Sequence, residues 1–560
     1  MRQKVMSGLL AFCLLAALLP AGALAASPDV WDGTVAESFA GGSGTEADPY
    51  RIATGAQLAY LAQVVNQGDE AYNAAYYELT ADIDLGGIDA WGNGVEDRQW
   101  TPIGRVETKM VEEESVEVHM PFRGHFQGNG RMVSGLYVNR EENYAGLFGY
   151  ISGGTVQSVR VSGSVSGDRY TGGIAGESYR GTIRDVWFSG SVSGTYCVGG
   201  IAGSSEAGSA SGALVTNCRN DASVSGKGDV GGVVGFNQAS YAGSNTAEVS
   251  CCVNTGSVFG QYDDVGGVTG CNEVDNKGTA WVTRCMNAGL VKGGGRYIGG
   301  VAGHNHAKKY GSATVSNSYN TGTVTWLPKS GNVSNNGKFV GGVVGRNYAE
   351  TSGVSSGSYP SVSISSCYSV GPVDGRDYVY GVAYSSHSGG TIPYANVTGC
   401  RFLQTDTVNV GLSAAYKGNG RESDNKALSV SDFSTWDSFS DWDRDIWTMG
   451  TDLDPFLSVV TARPVLKDVA EPILPRAEMT GAVVADGVAA VRVLPCVPAR
   501  AVCGAYDADG RCLGVELREL KADEDTALSF SLPDDAKTVR FFVLDEGMRP
   551  LAACEELPVK

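Results

Sequence analysis

The stretch VGGVVGFN at residues 230–237 is nearly rewritten as VGGVTGCN at 265–272, IGGVAGHN at 298–305 and VGGVVGRN at 340–347. Looser copies begin at Tyr144 (YAGLFG), Thr171 (TGGIAG), Val198 (VGGIAG) and Val379 (VYGVAY). Aligned on the second glycine they fall at Gly146, Gly173, Gly200, Gly232, Gly267, Gly300, Gly342 and Gly381, with steps of 27 to 42 residues. A period of that size marks a repeat architecture. A phosphate-cradling loop would need a helix after the glycines, and here a strand pattern follows.

That pattern is a second shared phrase: VQSVRVSGSVSG from Val156, VSCCVNTGSVFG from Val249 and VSNSYNTGTVTW from Val315 are examples. Apolar and polar residues alternate, as in a strand with one buried face. Each repeat therefore reads as a short strand, a glycine corner and a second short strand. So small a unit buries no core alone, but stacked units turn each strand into a rung of a parallel sheet. The fold class is all-β: a right-handed parallel β-helix with a helical N-terminal cap, followed by a small β-sandwich.

Columns follow from the stacking. The fourth position of the phrase (Leu147, Ile174, Ile201, Val233, Val268, Val301, Val343, Val382) is always aliphatic and reads as an inward ladder, whereas the varied fifth position (Phe148, Ala175, Thr269, Val344) reads as less constrained. The glycines suit positive φ or a place with no room for a Cβ. A column of Val159, Val186, Cys218, Cys252, Cys285, Ser318, Cys367 and Cys400 reads as core-packed free thiols rather than metal ligands. Asn237, Asn272, Asn305 and Asn347 read as a stacked ladder bonded to backbone.

Residues 1–25 have a charged start, an apolar run and an Ala-x-Ala end, the pattern of a cleaved signal peptide. Residues 26–140 form the N-terminal cap and first irregular coils; Thr54 caps a helix whose Leu58, Leu61, Ala62 and Val65 share one face. Repeats occupy 141–467, closed by Trp442, Trp447 and Phe456 as a plug. Residues 477–560 read as a β-sandwich of immunoglobulin-like or fibronectin-like type with a hairpin at Asp509-Gly510. Cys496, Cys503, Cys512 and Cys554 there could form one or two disulfides.

With 42 basic against 61 acidic residues, the formal net charge is −19, which disfavours nucleic acid and anionic membrane as partners. No stretch after the leader is long enough to cross a bilayer as a helix. Extra residues enter after the glycine phrase at 238–247, 273–280, 306–313 and 348–360, so these loops share one side. They bring candidate ligand-binding residues Tyr241, Trp281, His304, His306, Tyr310, Tyr348 and Tyr359, for which neutral surface insertion is the competing reading. No cofactor or metal site and no catalytic constellation is recognised. Asp82, Asp84, Asp263 and Asp264 are available carboxylates without a partner legible in the sequence.

The segments GSGTEADPYRIATGAQLAYLA, YYELTADIDL, WTPIG, PFRGHFQGNG and GLYVNREENYAGLFG, with the repeated GGIAG/GGVVG cores, resemble the GLUG-repeat β-solenoids of large surface proteins of gut Firmicutes and of bacterial IgA-specific metallopeptidases. The resemblance covers roughly residues 41–467. It implies a right-handed parallel β-helix and an extracellular, adhesin-like role. The His-Glu-x-x-His string of those peptidases is absent, and the five histidines (His119, His125, His304, His306, His387) do not supply one. No Leu-Pro-x-Thr-Gly sorting signal is present. The expectation is a secreted or cell-surface, monomeric, non-catalytic scaffold binding glycan, mucin or a host surface protein. A polysaccharide lyase or hydrolase and a structural spacer are the alternatives.

Overall fold

The structure is a computed structural model that describes residues 30–559 apart from 89–92, 112–113, 241–244, 328–338, 351–358, 376–377, 389–394, 404–420, 451–462, 468–476, 486–487, 496–498, 508–510, 522–525, 534 and 546–554. Chain contacts divide it into Pro28–Pro472 and a unit containing Ile473–Lys560. The leader, Tyr241, Phe456, the Asp509-Gly510 turn, Cys496 and Cys554 lie outside the described residues.

The larger unit is a parallel β-helix. One coil shows the plan: Gly228–Gly231 lies in sheet one, Val234–Ala239 in sheet two, Thr246–Ser250 in sheet three, and Val253–Asn254 with Val258–Gly260 in sheet four. Each pairs in parallel with its equivalents one coil before and after, building sheets of seven, eight, twelve and sixteen strands. A coil thus carries five short strands, not two. Its sharp corners divide the alternating pattern into pieces too short to read separately.

The fourth-position ladder points into the main core throughout. The fifth position, read as less constrained, is buried as fully: Phe148, Ala175, Thr269 and Val344 are each at 0 % exposure. It varies although it does not face water. The phrase glycines all have ordinary φ, so the room for a Cβ decides them. A Cβ on Gly231 would lie 2.0 Å from the Val234 carbonyl oxygen, and one on Gly235 2.4 Å from the Val198 nitrogen. Positive φ falls instead on other residues at two corners, including Tyr170, Cys197, Asp229 and Asp264 before the phrase, and Asn217, Cys251 and Arg284 before the cysteine column.

The cysteine column is a ladder of buried, unbridged thiols. Cys218, Cys252 and Cys285 each donate to a carbonyl two residues back. The Asn237 ladder also forms: each amide donates to the next coil's amide oxygen at 2.7–2.8 Å and to a sheet-three carbonyl at 3.0–3.1 Å. A second asparagine ladder, at Asn220, Asn254, Asn287 and Asn320, runs through the main core with 2.8 Å amide–amide bonds. It lies against the second glycine of the phrase: a Cβ on Gly232 or Gly267 would approach the Asn254 or Asn287 side chain to 2.3 Å.

Thr54 caps the helix Gly55–Asn66, and its apolar face enters the main core. Trp442 and Trp447 do not plug the other end. They pack with Tyr319, Tyr368, Phe433 and Phe439 in a separate cluster. Tyr319 and Tyr368 follow the inward Ser318 and Cys367 and so lie on the outer side of sheet four, where the tryptophans cover them. In the smaller unit, a three-stranded and a four-stranded antiparallel sheet form the β-sandwich. Its strands Ala499–Tyr506 and Cys512–Leu520 pair as a hairpin, and Cys503 is buried and unbridged.

Candidate functional site: a trench between sheets one and two

The strands of sheet two run further than the loop reading allowed: Ala302–Lys308 and Val344–Glu350 include His304, His306 and Tyr348. Inward residues of their outer ends, such as Ala239, Ala307 and Ala349, pack on sheet-three Ala247, Ala313 and Val362 in a small alanine core. Small side chains let the two sheets close on each other there, so the strand continues where an insertion was expected.

The opposite, outward side of sheet two meets the outward residue that opens the first glycine phrase or directly precedes the later ones. That residue is Tyr144, Tyr170, Cys197, Asp229, Asp264, Tyr297, Phe339 and Tyr378 in successive coils. Facing it across the corner is a registered column of Tyr150, Glu177, Ser204, Phe236, Cys271, His304, Arg346 and Tyr384. A further column carries Glu206, Gln238, Glu273, His306 and Tyr348. At a rung spacing of about 4.8 Å, eight coils make a trench about 34 Å long.

Aromatic rings border both ends. Tyr144 stacks on Tyr170 at 5.1 Å, and Phe339 stacks on Tyr384 at 4.2 Å. Arg346 lies 3.7 Å above the Tyr348 ring and donates to the Tyr297 hydroxyl at 2.7 Å. The hairpin Arg105–Val111/Glu114–Met120, unforeseen in the sequence, brings His119 to 5.4 Å from Tyr150.

The middle is polar and secluded. Burial, helped by the Glu206 and Glu117 charges, pushes Glu177 up to about 8. Burial and the neighbouring Asp263 and Glu273 push Asp264 up to about 7. Asp229 is raised as well, by burial and by its hydrogen-bonded neighbour Asp264. Burial alone would raise Glu273, but His306 at 2.9 Å and Lys308 at 2.9 Å hold it at about 2. His304 is pushed well down by burial, with His306 and Arg346 adding to the effect. Its 3.5 Å approach to Asp264 is therefore a contact of a neutral ring and not an ion pair.

Of the residues anticipated from the sequence, His304, His306 and Tyr348 come together in this trench. Trp281 does not: it lies outward on sheet three, the other side of the alanine core, at 41 % exposure. Tyr310 sits at a loop tip near Lys277, and Tyr359 precedes a sheet-three strand. Asp82 and Asp84 accept backbone bonds from Met132 and Gly86, and Asp263 pairs with Arg296. Asp264 finds partners in Cys271 and His304, three donors lying within 4.8 Å of one another.

Glu177 gives the trench a pH signature. Its carboxyl ionises near 4.5 when the chain is unfolded and near 8 when folded, so the folded state holds the proton through that window and stability falls as pH rises across it. Glu177→Gln, a neutral replacement, is expected to stabilise the protein by on the order of 2 kcal/mol at pH 8.5 and to leave it unchanged at pH 4. Urea unfolding at the two pH values checks this.

The GLUG motif family matches residues 294–325. A protein of Evansella cellulosilytica described as a Gly-rich membrane protein is 37 % identical over 128 residues, 22 % of this chain and 12 % of that protein. Halomucin of Haloquadratum walsbyi is 31 % identical over 187 residues, 27 % of this chain and 2 % of its own length. The chain thus spans only a small part of these relatives. The crystal structure of the bacteriophage CBA120 tailspike protein 4 enzymatically active domain aligns at 9 % identity over 90 % of this chain and 66 % of that one, with a TM-score of 0.21. Among the described residues no helix is long and apolar enough to cross a membrane.

Proposed function

We propose that this β-helix, which carries a GLUG motif, is a non-catalytic scaffold acting outside the cell, and that its trench binds an extended glycan chain. The observation carrying this reading is the run of outward aromatic rings at both ends of one trench, with hydrogen-bonding and charged groups between them. Rings offer apolar faces to sugar C–H surfaces while fixed polar groups set orientation, the usual division of labour in a ligand site. The relatives named as a membrane protein and a halomucin support placement at a cell surface. Mucin glycans fit the same chemistry.

A second reading has one observation behind it. Asp229 and Asp264 are both raised, and a carboxyl that keeps its proton towards neutral pH is what a glycoside hydrolase uses as its general acid. Screening the purified chain against immobilised polysaccharides and mucins, beside a depolymerisation assay, separates the readings. Retention without turnover is expected, with Tyr348→Ala weakening it about tenfold, since aromatic stacking contributes roughly 1 kcal/mol or more, and Trp281→Ala leaving it unchanged. The reverse pattern would move the site to the sheet-three side, and turnover would make the protein an enzyme.

A further inference from the structure

We infer that Asp264, Cys271 and His304 form a binding site for a zinc-type transition-metal ion in the floor of the trench. This goes beyond the glycan reading and does not depend on it. The fold assembles the three donors from two coils. Cys271 and His304 are register partners on adjacent rungs of sheet two, so their side chains leave the sheet side by side. Asp264, at positive φ immediately before the glycine phrase, reaches across the corner from sheet one. The donor atoms lie within 4.8 Å of one another, and Asp264 Oδ1 is 3.5 Å from His304 Nδ1.

One donor is also unsatisfied. Asp264 Oδ1, which faces His304 Nδ1 at 3.5 Å, is buried and among the described residues has no hydrogen-bond partner. Buried polar atoms are ordinarily paired, so an unpaired carboxylate oxygen beside a buried imidazole and a buried thiol calls for a ligand. Cys271, at 2 % exposure, belongs to neither the cysteine ladder nor a disulfide.

Thiolate, imidazole and carboxylate together select zinc-type ions and disfavour calcium and magnesium, which take oxygen donors. Metal–donor bonds of about 2.0–2.3 Å would draw the three groups together by roughly an ångström. Three protein ligands leave a fourth position for water or a further donor. Asp229, hydrogen-bonded to Asp264, is placed to fix the ligating carboxylate, and the His306 ring stacked 4.7 Å from His304 steadies the imidazole.

The test is titration of the reduced, full chain with Zn²⁺ by calorimetry and with Co²⁺ by absorbance. One equivalent is expected to bind, with a strong thiolate-to-cobalt charge-transfer band and no competition from Ca²⁺. Cys271→Ser should abolish the band, His304→Gln and Asp264→Asn should weaken binding at least about tenfold, and Asp229→Asn should weaken it roughly 10-fold. Cys503→Ser, an unbridged thiol of the smaller unit, should change nothing. Circular dichroism monitors folding, and if Cys271→Ser misfolds, the His304 and Asp264 variants decide. Absence of stoichiometric binding, or a band indifferent to all three ligand variants, overturns the site.

Discussion

Gly267→Ala is expected to unfold the central coils, at a cost on the order of 4 kcal/mol or more. The added methyl would lie 2.1 Å from the Gly300 carbonyl oxygen and 2.3 Å from Cγ of Asn287. The first obstacle is the backbone of the next rung, fixed by parallel pairing. The second is an amide held at both ends of its own ladder. Neither can yield as the far end of a flexible side chain would. Because each coil is stabilised by its neighbours, the damage should spread to the adjacent rungs rather than stay at one residue. Urea unfolding and limited proteolysis check this, with Gly514→Ala as the control: a Cβ there meets nothing within 4 Å, and stability should hold or rise slightly. An unchanged midpoint for Gly267→Ala would show that the coils are more loosely stacked than described.

Asn287→Ala should cost about 3 kcal/mol. The side chain is fully buried, receives the Asn254 amide at 2.8 Å, and donates to Asn320 at 2.8 Å and the Gly289 carbonyl at 2.9 Å. Truncation orphans partners on both sides in a dry core, and desolvation rather than lost bond strength sets the cost. Chemical denaturation of the variant beside Asn143→Ala, whose exposed side chain accepts one bond from the Arg169 amide at 3.2 Å, separates the ladder's contribution from that of an ordinary hydrogen bond. Equal losses would mean the ladder adds nothing beyond its single bonds.

The repeat, the aliphatic ladder, the thiol column and the Asn237 ladder were legible because one residue type recurs at one place in every coil. The Asn220 ladder left the same signal in CRND, CVNT, CMNA and SYNT. It becomes meaningful only once the glycine against which each amide packs is known. The trench could not be read this way. Its columns change identity at each step, from Glu177 through Ser204, Phe236 and Cys271 to His304, although most of these side chains are buried. What unites them is a corner that exists only in the closed coil. Asp264 looked partnerless for that reason: Cys271 is seven residues away, but His304 is a whole turn of the helix further on. The tryptophans of the C-terminal segment announced burial, and nothing local said which surface they would bury against.

The two asparagine ladders both end on a hydroxyl, Asn320 on Ser369 at 3.2 Å and Asn347 on Ser385 at 3.1 Å. Every amide donates in the same direction along the axis, so each ladder has a sense as well as a spacing, and the serines are where the count stops. Descent with duplication is thereby restricted to whole turns: a copied coil brings its own acceptor and its own donor and slots between two others, whereas a fragment would leave both columns out of step. Such a gene can lengthen its product one rung at a time, and with each rung the trench gains one more set of outward residues free to diverge.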